Sequence, residues 1–168
     1  MVINVSLSEK SIDSAIKELE AYQKKLKRLA KELCYRLALL GATRATLDFS
    51  RAIYMGEKDF SISVDKTKDG YVVKANGESV LFLEFGAGIR YGYGHPLATK
   101  FKMGPGTYPG KGHWDDPNGW WIPKNKAESS TSDRGRHTYG NPPSMPMFNA
   151  AQDMRRNIKA IAEEVFRS

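Results

Sequence analysis

Cysteine is almost missing from this chain of 168 residues: Cys34 stands alone, which excludes an intramolecular disulfide and leaves any metal site to His, Asp and Glu. On a helix, such a cysteine is expected to be a small buried hydrophobe. No apolar run approaches the roughly 18 residues that span a bilayer, so an integral membrane protein is not expected. The opening MVINVSLSEK lacks the basic and then apolar stretch of a secretory leader, and the cytoplasm is the expected starting compartment. Acidic side chains are in deficit, 19 against 26 basic ones, for a net charge of +7. That excess attracts polyanions without identifying one. It is also dispersed: residues 1–58 carry eleven basic and seven acidic side chains, and residues 86–146 carry eight and four. No polybasic tail exists, and sequence-specific readout of nucleic acid is unsupported.

What is present begins with periodicity. From Ser8 or Ser11, which are reasonable N-caps, Ile12, Ile16, Leu19, Leu26, Leu29, Leu33, Leu37 and Leu40 recur at spacings of three, four and seven. This predicts an amphipathic helix. Gly41 is a point where it ends or loosens, with helix resuming through Ala45, Phe49 and Ile53, so residues 8–55 are expected to be helical. The period then changes. Phe60, Ile62 and Val64 alternate with polar residues as in a half-buried strand. Lys68-Asp69-Gly70 is a turn, Tyr71 to Ala75 a second strand, Asn76-Gly77 a hairpin signal, and Val80 to Phe85 a third strand. Residues 59–85 thus predict an antiparallel meander. After Pro142-Pro143 and Pro146, residues 147–167 predict a second amphipathic helix. The expected fold is a single α+β domain over 1–168, an antiparallel sheet packed by a long N-terminal and a C-terminal helix.

Residues 86–146 separate sheet from last helix and hold eleven of the fifteen glycines and every proline, histidine and tryptophan. A long loop of this size in a compact domain is expected to be functional. Its aromatics distinguish it from a disordered linker, and Trp and Tyr are the usual anchors of interfaces. Lys124 to Arg136 has no apolar side chain larger than alanine and reads as a mobile tip.

Chemical motifs are few. His95, His113 and His137 with Asp115-Asp116 suggest a metal site, but no pair has a recognised ligand spacing. Gly86-Ala87-Gly88-Ile89-Arg90-Tyr91-Gly92 follows the expected third strand yet departs from G-x-G-x-x-G and leads into no apolar helix, which argues against a phosphate loop. Glu84 has no partner acid or nucleophile at a convincing spacing. A structural role, accepting hydrogen bonds from the glycine-rich turn, is the expectation for it.

Three segments taken together carry a resemblance. They are Phe82-Leu83-Glu84-Phe85-Gly86-Ala87-Gly88, then Gly106-Thr107-Tyr108-Pro109 with Gly119-Trp120-Trp121, then His137 to Phe148 running into the final helix. In this order they resemble the tail-component or tail-completion family of tailed bacteriophages, described as gene-product-ten-like. The resemblance implies a non-enzymatic virion protein of the neck or tail end, present in the host cytoplasm during assembly and needing no cofactor or metal. It implies a ring subunit, hexameric, that completes the tail and joins it to the head. Implied partners are further copies of the chain, a head-completion or connector protein, and tail terminator or tail-tube proteins, with no membrane. On this reading Phe85, Tyr108, Trp114, Trp120, Trp121 and Tyr139 meet neighbouring subunits. A second expectation, motivated by the charge excess alone, places some of Lys100, Lys102, Arg134 and Arg136 at the ring lumen, in transient, non-specific contact with DNA. Two other functions compete: a nucleic-acid-binding module, and a small metal-dependent hydrolase built on the three histidines and Asp115-Asp116.

Overall fold

The computed structural model describes residues 6, 8–91, 94–103, 116–126 and 134–167. Helix α1, Glu9–Arg51, starts at Ser8, whose backbone is extended and whose side-chain oxygen accepts the Ser11 N–H at 3.3 Å. Forty-three residues make it about 65 Å long at 1.5 Å per residue. Strands β1 (Ser61–Lys66) and β2 (Tyr71–Asn76) pair antiparallel, Ser61 opposite Asn76 and Lys66 opposite Tyr71. The turn between them closes through the Thr67 N–H to the Gly70 carbonyl at 2.8 Å. Tyr71, Val73 and Ala75 face inward in alternation, as the period of two requires. Helix α2 spans Val80–Phe85, strands β3 (Trp120–Ile122) and β4 (Arg136–Thr138) form a second antiparallel pair, and helix α3 runs Pro146–Arg167. The fold is α+β.

α3 lies antiparallel along the second half of α1. Asn149 donates to Asp48 at 3.1 Å, Arg44 pairs with Asp153 at 3.2 Å, and Arg36 reaches Glu164 at 3.8 Å. The face of α1 that meets α3 is lined by small residues, Ala38, Gly41 and Ala45, with Phe49 beyond. Gly41 neither ends nor loosens the helix. A β-carbon there would come 2.7 Å from the Met154 sulfur, so the glycine leaves the space that the Met154 side chain of α3 occupies. Its helix penalty of about 1 kcal/mol is offset by that packing. Below this contact, Ala45, Phe49, Ala52, Leu83 and Ala150 form the buried core, with Phe60 stacked on Phe49 at 5.1 Å between ring centres.

Two sequence expectations are corrected. Val80–Phe85 is helical, so the sheet is two separate two-stranded ribbons and not a three-stranded meander. Tertiary demands decide the segment: Leu83 points into the main core, Phe85 into a second cluster, and Glu84 toward α3. Three consecutive buried side chains aimed three ways suit a helical turn and not a strand of alternating faces. Asn76-Gly77 accordingly closes no hairpin; it ends β2. Cys34 is exposed on α1, not buried. Among the described residues, no helix is long and apolar enough to cross a membrane.

Candidate interface site

The region after α2 is held by two contacts that begin at α2 itself. Ala87 and Asn141 exchange both backbone hydrogen bonds, at 2.9 and 3.0 Å. The Asn141 side chain donates to the Phe82 carbonyl at 2.8 Å, and the Ser144 N–H to the Leu83 carbonyl at 2.9 Å. Two of the carbonyls at the end of this short helix, those of Phe82 and Leu83, are thereby satisfied. Gly140, at φ 106°, permits the approach: a β-carbon there would lie 1.8 Å from the Ala87 carbonyl oxygen.

Glu84 is the second anchor. Its Oε2 accepts the Met147 N–H at 2.7 Å, and its Oε1 accepts the Phe148 N–H at 3.0 Å and a bond from His95 Nε2 at 3.0 Å. His95 Nδ1 accepts the Leu97 N–H at 3.0 Å, which leaves Nε2 as the protonated nitrogen that donates to the carboxylate. Pro146 occupies the first turn of α3, where its lack of an N–H costs nothing, and Glu84 satisfies the next two donors. Negative charge at a helix N-terminus is favourable. The expected partner, the glycine-rich turn, is thus replaced by α3 and His95; Glu84 and His95 are buried, and the two bonds to α3 are partly so. A carboxylate fixed in this way holds the fold together and is not placed to act as a base.

On this base stands the β3–β4 ribbon. Trp120 pairs with Thr138, Trp121 with His137 and Ile122 with Arg136. Adjacent strand residues face opposite sides, so Trp120 is buried with Phe85 and Ala87 while Trp121 is 49% exposed. On the outer side Trp121 meets His137 edge-on at 5.2 Å, His137 meets Tyr139 at 4.9 Å, and the Arg90 guanidinium lies 3.4 Å from the Tyr139 ring centre. His137 Nε2 donates to the Asn118 carbonyl at 3.0 Å, which fixes the middle ring. The result is an exposed, preorganised aromatic row. Behind it, a cleft of about 220 Å³ opens between the ribbon and the segment after α1, lined by Tyr54, Asp59, Phe82, Trp120 and Asn141 among others. Burial, and then the nearby Glu78 charge, push the Tyr54 phenol above its ordinary 10.0.

The six expected interface residues therefore separate. Trp121 and Tyr139 share the exposed row, whereas Phe85 and Trp120 pack inward, Phe85 against His95 at 4.4 Å and Phe101 at 6.0 Å. Tyr108 and Trp114 lie outside the described residues. Lys100 and Lys102 are exposed on the turn after His95, and Arg134 and Arg136 are exposed on the segment leading into and along β4. Of the histidines proposed for a metal, His95 is engaged by Glu84 and His137 by Asn118, and Asp116 accepts the Asn118 N–H at 2.8 Å. His113 and Asp115 lie outside the described residues. Among the described residues, no group of three or more His, Cys, Asp or Glu side chains could hold a metal ion. Lys124–Lys126, part of the expected mobile tip, forms a short 3-10 turn. The sequence reading missed Arg90 and His137 as members of the row; the period of two through Trp120-Trp121 and His137-Thr138-Tyr139 was the signal that could have found His137, whereas no local pattern marks Arg90.

No family model matches this chain, and neither a curated protein nor a solved structure does so.

Proposed function

We propose that this chain is a structural subunit of the neck or tail end of a tailed phage, a ring-forming protein that completes the tail and joins it to the head. The observation that carries the reading is the exposed row of Trp121, His137 and Tyr139 with Arg90, fixed on a ribbon rooted in the core. Rigid aromatic and arginine side chains presented to solvent are what protein interfaces use as anchors. A second support is that two of the resembling segments lock onto each other, through the Ala87–Asn141 bridge and the Glu84 bonds to the start of α3. They form one unit, with the Trp120-Trp121 strand beside it.

The test is light scattering over a concentration series, with the protein alone and with candidate connector and tail-tube proteins. The expected outcome is a closed ring, alone or on addition of those partners. Trp121→Ala and Tyr139→Ala are expected to weaken assembly at least tenfold, about the 1–2 kcal/mol that an anchor residue contributes. A chain that neither rings alone nor binds any of these partners refutes the reading.

A further inference from the structure

The N-terminal half of α1 has no described neighbour to pack on. Asn149 sits opposite Asp48 and Asp153 opposite Arg44; at equal rise, the end of α3 comes level with about residue 30 of α1. Residues 9–28 run on beyond it for about 30 Å. Along them Ile12, Ile16, Leu19, Tyr22 and Leu26 are 36 to 55% exposed, whereas Leu29, under the end of α3, is 4% exposed. Ile12, Leu19, Leu26, Leu33 and Leu40 recur every seven residues, and Ala15, Tyr22 and Leu29 fill the alternate seam position of the same heptad. That is the stripe of a coiled coil, continued past the point where the described residues of α3 supply a partner.

The charges say what that partner is. Residues 9–20 carry four acidic and two basic side chains; residues 21–31 carry Lys24, Lys25, Lys27, Arg28 and Lys31 and no acid. Two copies laid parallel would set basic half against basic half. Laid antiparallel, each acidic half lies along the other copy's basic half. In that register Leu19 meets Tyr22 of the second copy and Ile12 comes level with its Leu29, while Ala15, only 8% exposed, offers little surface to the Leu26 opposite it. Glu18 and Lys25 both occupy the position just before the Leu19 and Leu26 seam residues. In an antiparallel pair they face each other across the seam, twice by symmetry. We infer that the projecting half of α1 is a self-association site, pairing antiparallel with the same segment of a second copy through the Ile12–Leu26 stripe and reciprocal Glu18–Lys25 contacts. The contact is isologous, whereas rings close through heterologous ones. It therefore uses a different surface from the aromatic row and does not depend on the function proposed above.

Sedimentation velocity of the full chain across a concentration series, at low and high salt, tests this. The wild type is expected to show a dimer that weakens with salt, and Leu19→Asp to abolish it. Glu18→Lys or Lys25→Glu alone sets like charges together at both symmetric sites and is expected to weaken the dimer roughly tenfold. The double variant Glu18→Lys/Lys25→Glu restores the pairing and is expected to return to within about threefold of wild type. These positions are exposed and away from the core, so helix content by circular dichroism should stay constant in the charge variants. A chain without dimer at any concentration overturns the inference. So does a dimer indifferent to Leu19→Asp, or one that the double swap fails to restore, as a parallel pair or contact through another surface would give. Because Trp121 and Tyr139 are untouched in this series, failure here leaves the tail-end reading to its own test.

Discussion

Replacing Glu84 by Gln isolates what one buried carboxylate contributes to this fold. The two side chains have nearly the same shape, so little packing changes. Glu84 accepts three hydrogen bonds, from the Met147 and Phe148 N–H groups and from His95 Nε2. Glutamine offers one acceptor oxygen. If that oxygen takes the Oε1 place, its NH2 group confronts the Met147 N–H; if it takes the Oε2 place, the NH2 group confronts both Phe148 N–H and His95. His95 cannot reverse its role without giving up the Leu97 N–H on Nδ1. Either orientation leaves at least one buried donor without an acceptor, which costs about 1–3 kcal/mol, and also removes the charge from these bonds and from the start of α3. The expected loss is about 2–4 kcal/mol, a large share of the 5–15 kcal/mol of an ordinary domain. Urea unfolding followed by circular dichroism reads it directly: with a slope of about 1–3 kcal/mol per molar, the midpoint should fall by roughly 1–2 M. A fall in stability below about 0.5 kcal/mol would refute the assignment of Glu84 as the cap that secures α3.

Two further outcomes follow from local geometry. Gly41→Ala places a β-carbon against the flexible end of Met154 while removing a helix penalty, so stability should stay within about 1 kcal/mol of wild type. Gly41→Val adds branches into the same closed contact and should cost about 1–3 kcal/mol more; equal denaturation midpoints for the two variants would show that the helices do not press there. Tyr54 is raised above its ordinary 10.0, so the unfolded chain loses this phenolic proton first, and the stability linked to it is present below about pH 10 and lost as pH rises toward the folded value. Tyr54→Phe should therefore lose less melting temperature than wild type between pH 9 and 11, and parallel curves would contradict it.

Long amphipathic segments were legible from residue order because their periods are carried over many positions. Ile12 to Leu40 and Met147 to Val165 gave both long helices within a few residues of their observed ends, and Ile62, Val64, Val73 and Ala75 gave the β1–β2 ribbon. Val80–Phe85 was not legible, since a six-residue segment with five apolar side chains fits a buried strand or a helical turn equally well. What resolves them is contact with residues near 50 and near 147. Glu84 is the clearest case: its helix partner lies 63 and 64 positions away, and no local pattern marks it. In the candidate site, composition identified the aromatic segment but not its inward and outward faces. Those follow from strand alternation, which became readable only once Trp120-Trp121 were seen to be paired with His137-Thr138.

The pairing of α1 with α3 also sets the order in which this molecule can come together. Asp48 and Asn149 are 101 positions apart, and closing a loop of that length costs about 4 kcal/mol of chain entropy before the contact returns anything. Each helix can flicker into existence alone in microseconds, yet neither has its core face covered until the other arrives. Helical signal should accordingly recover well before fixed tertiary packing does. During that interval the Phe49 and Leu83 faces stay open to other chains, which makes dilute, cool refolding the favourable regime.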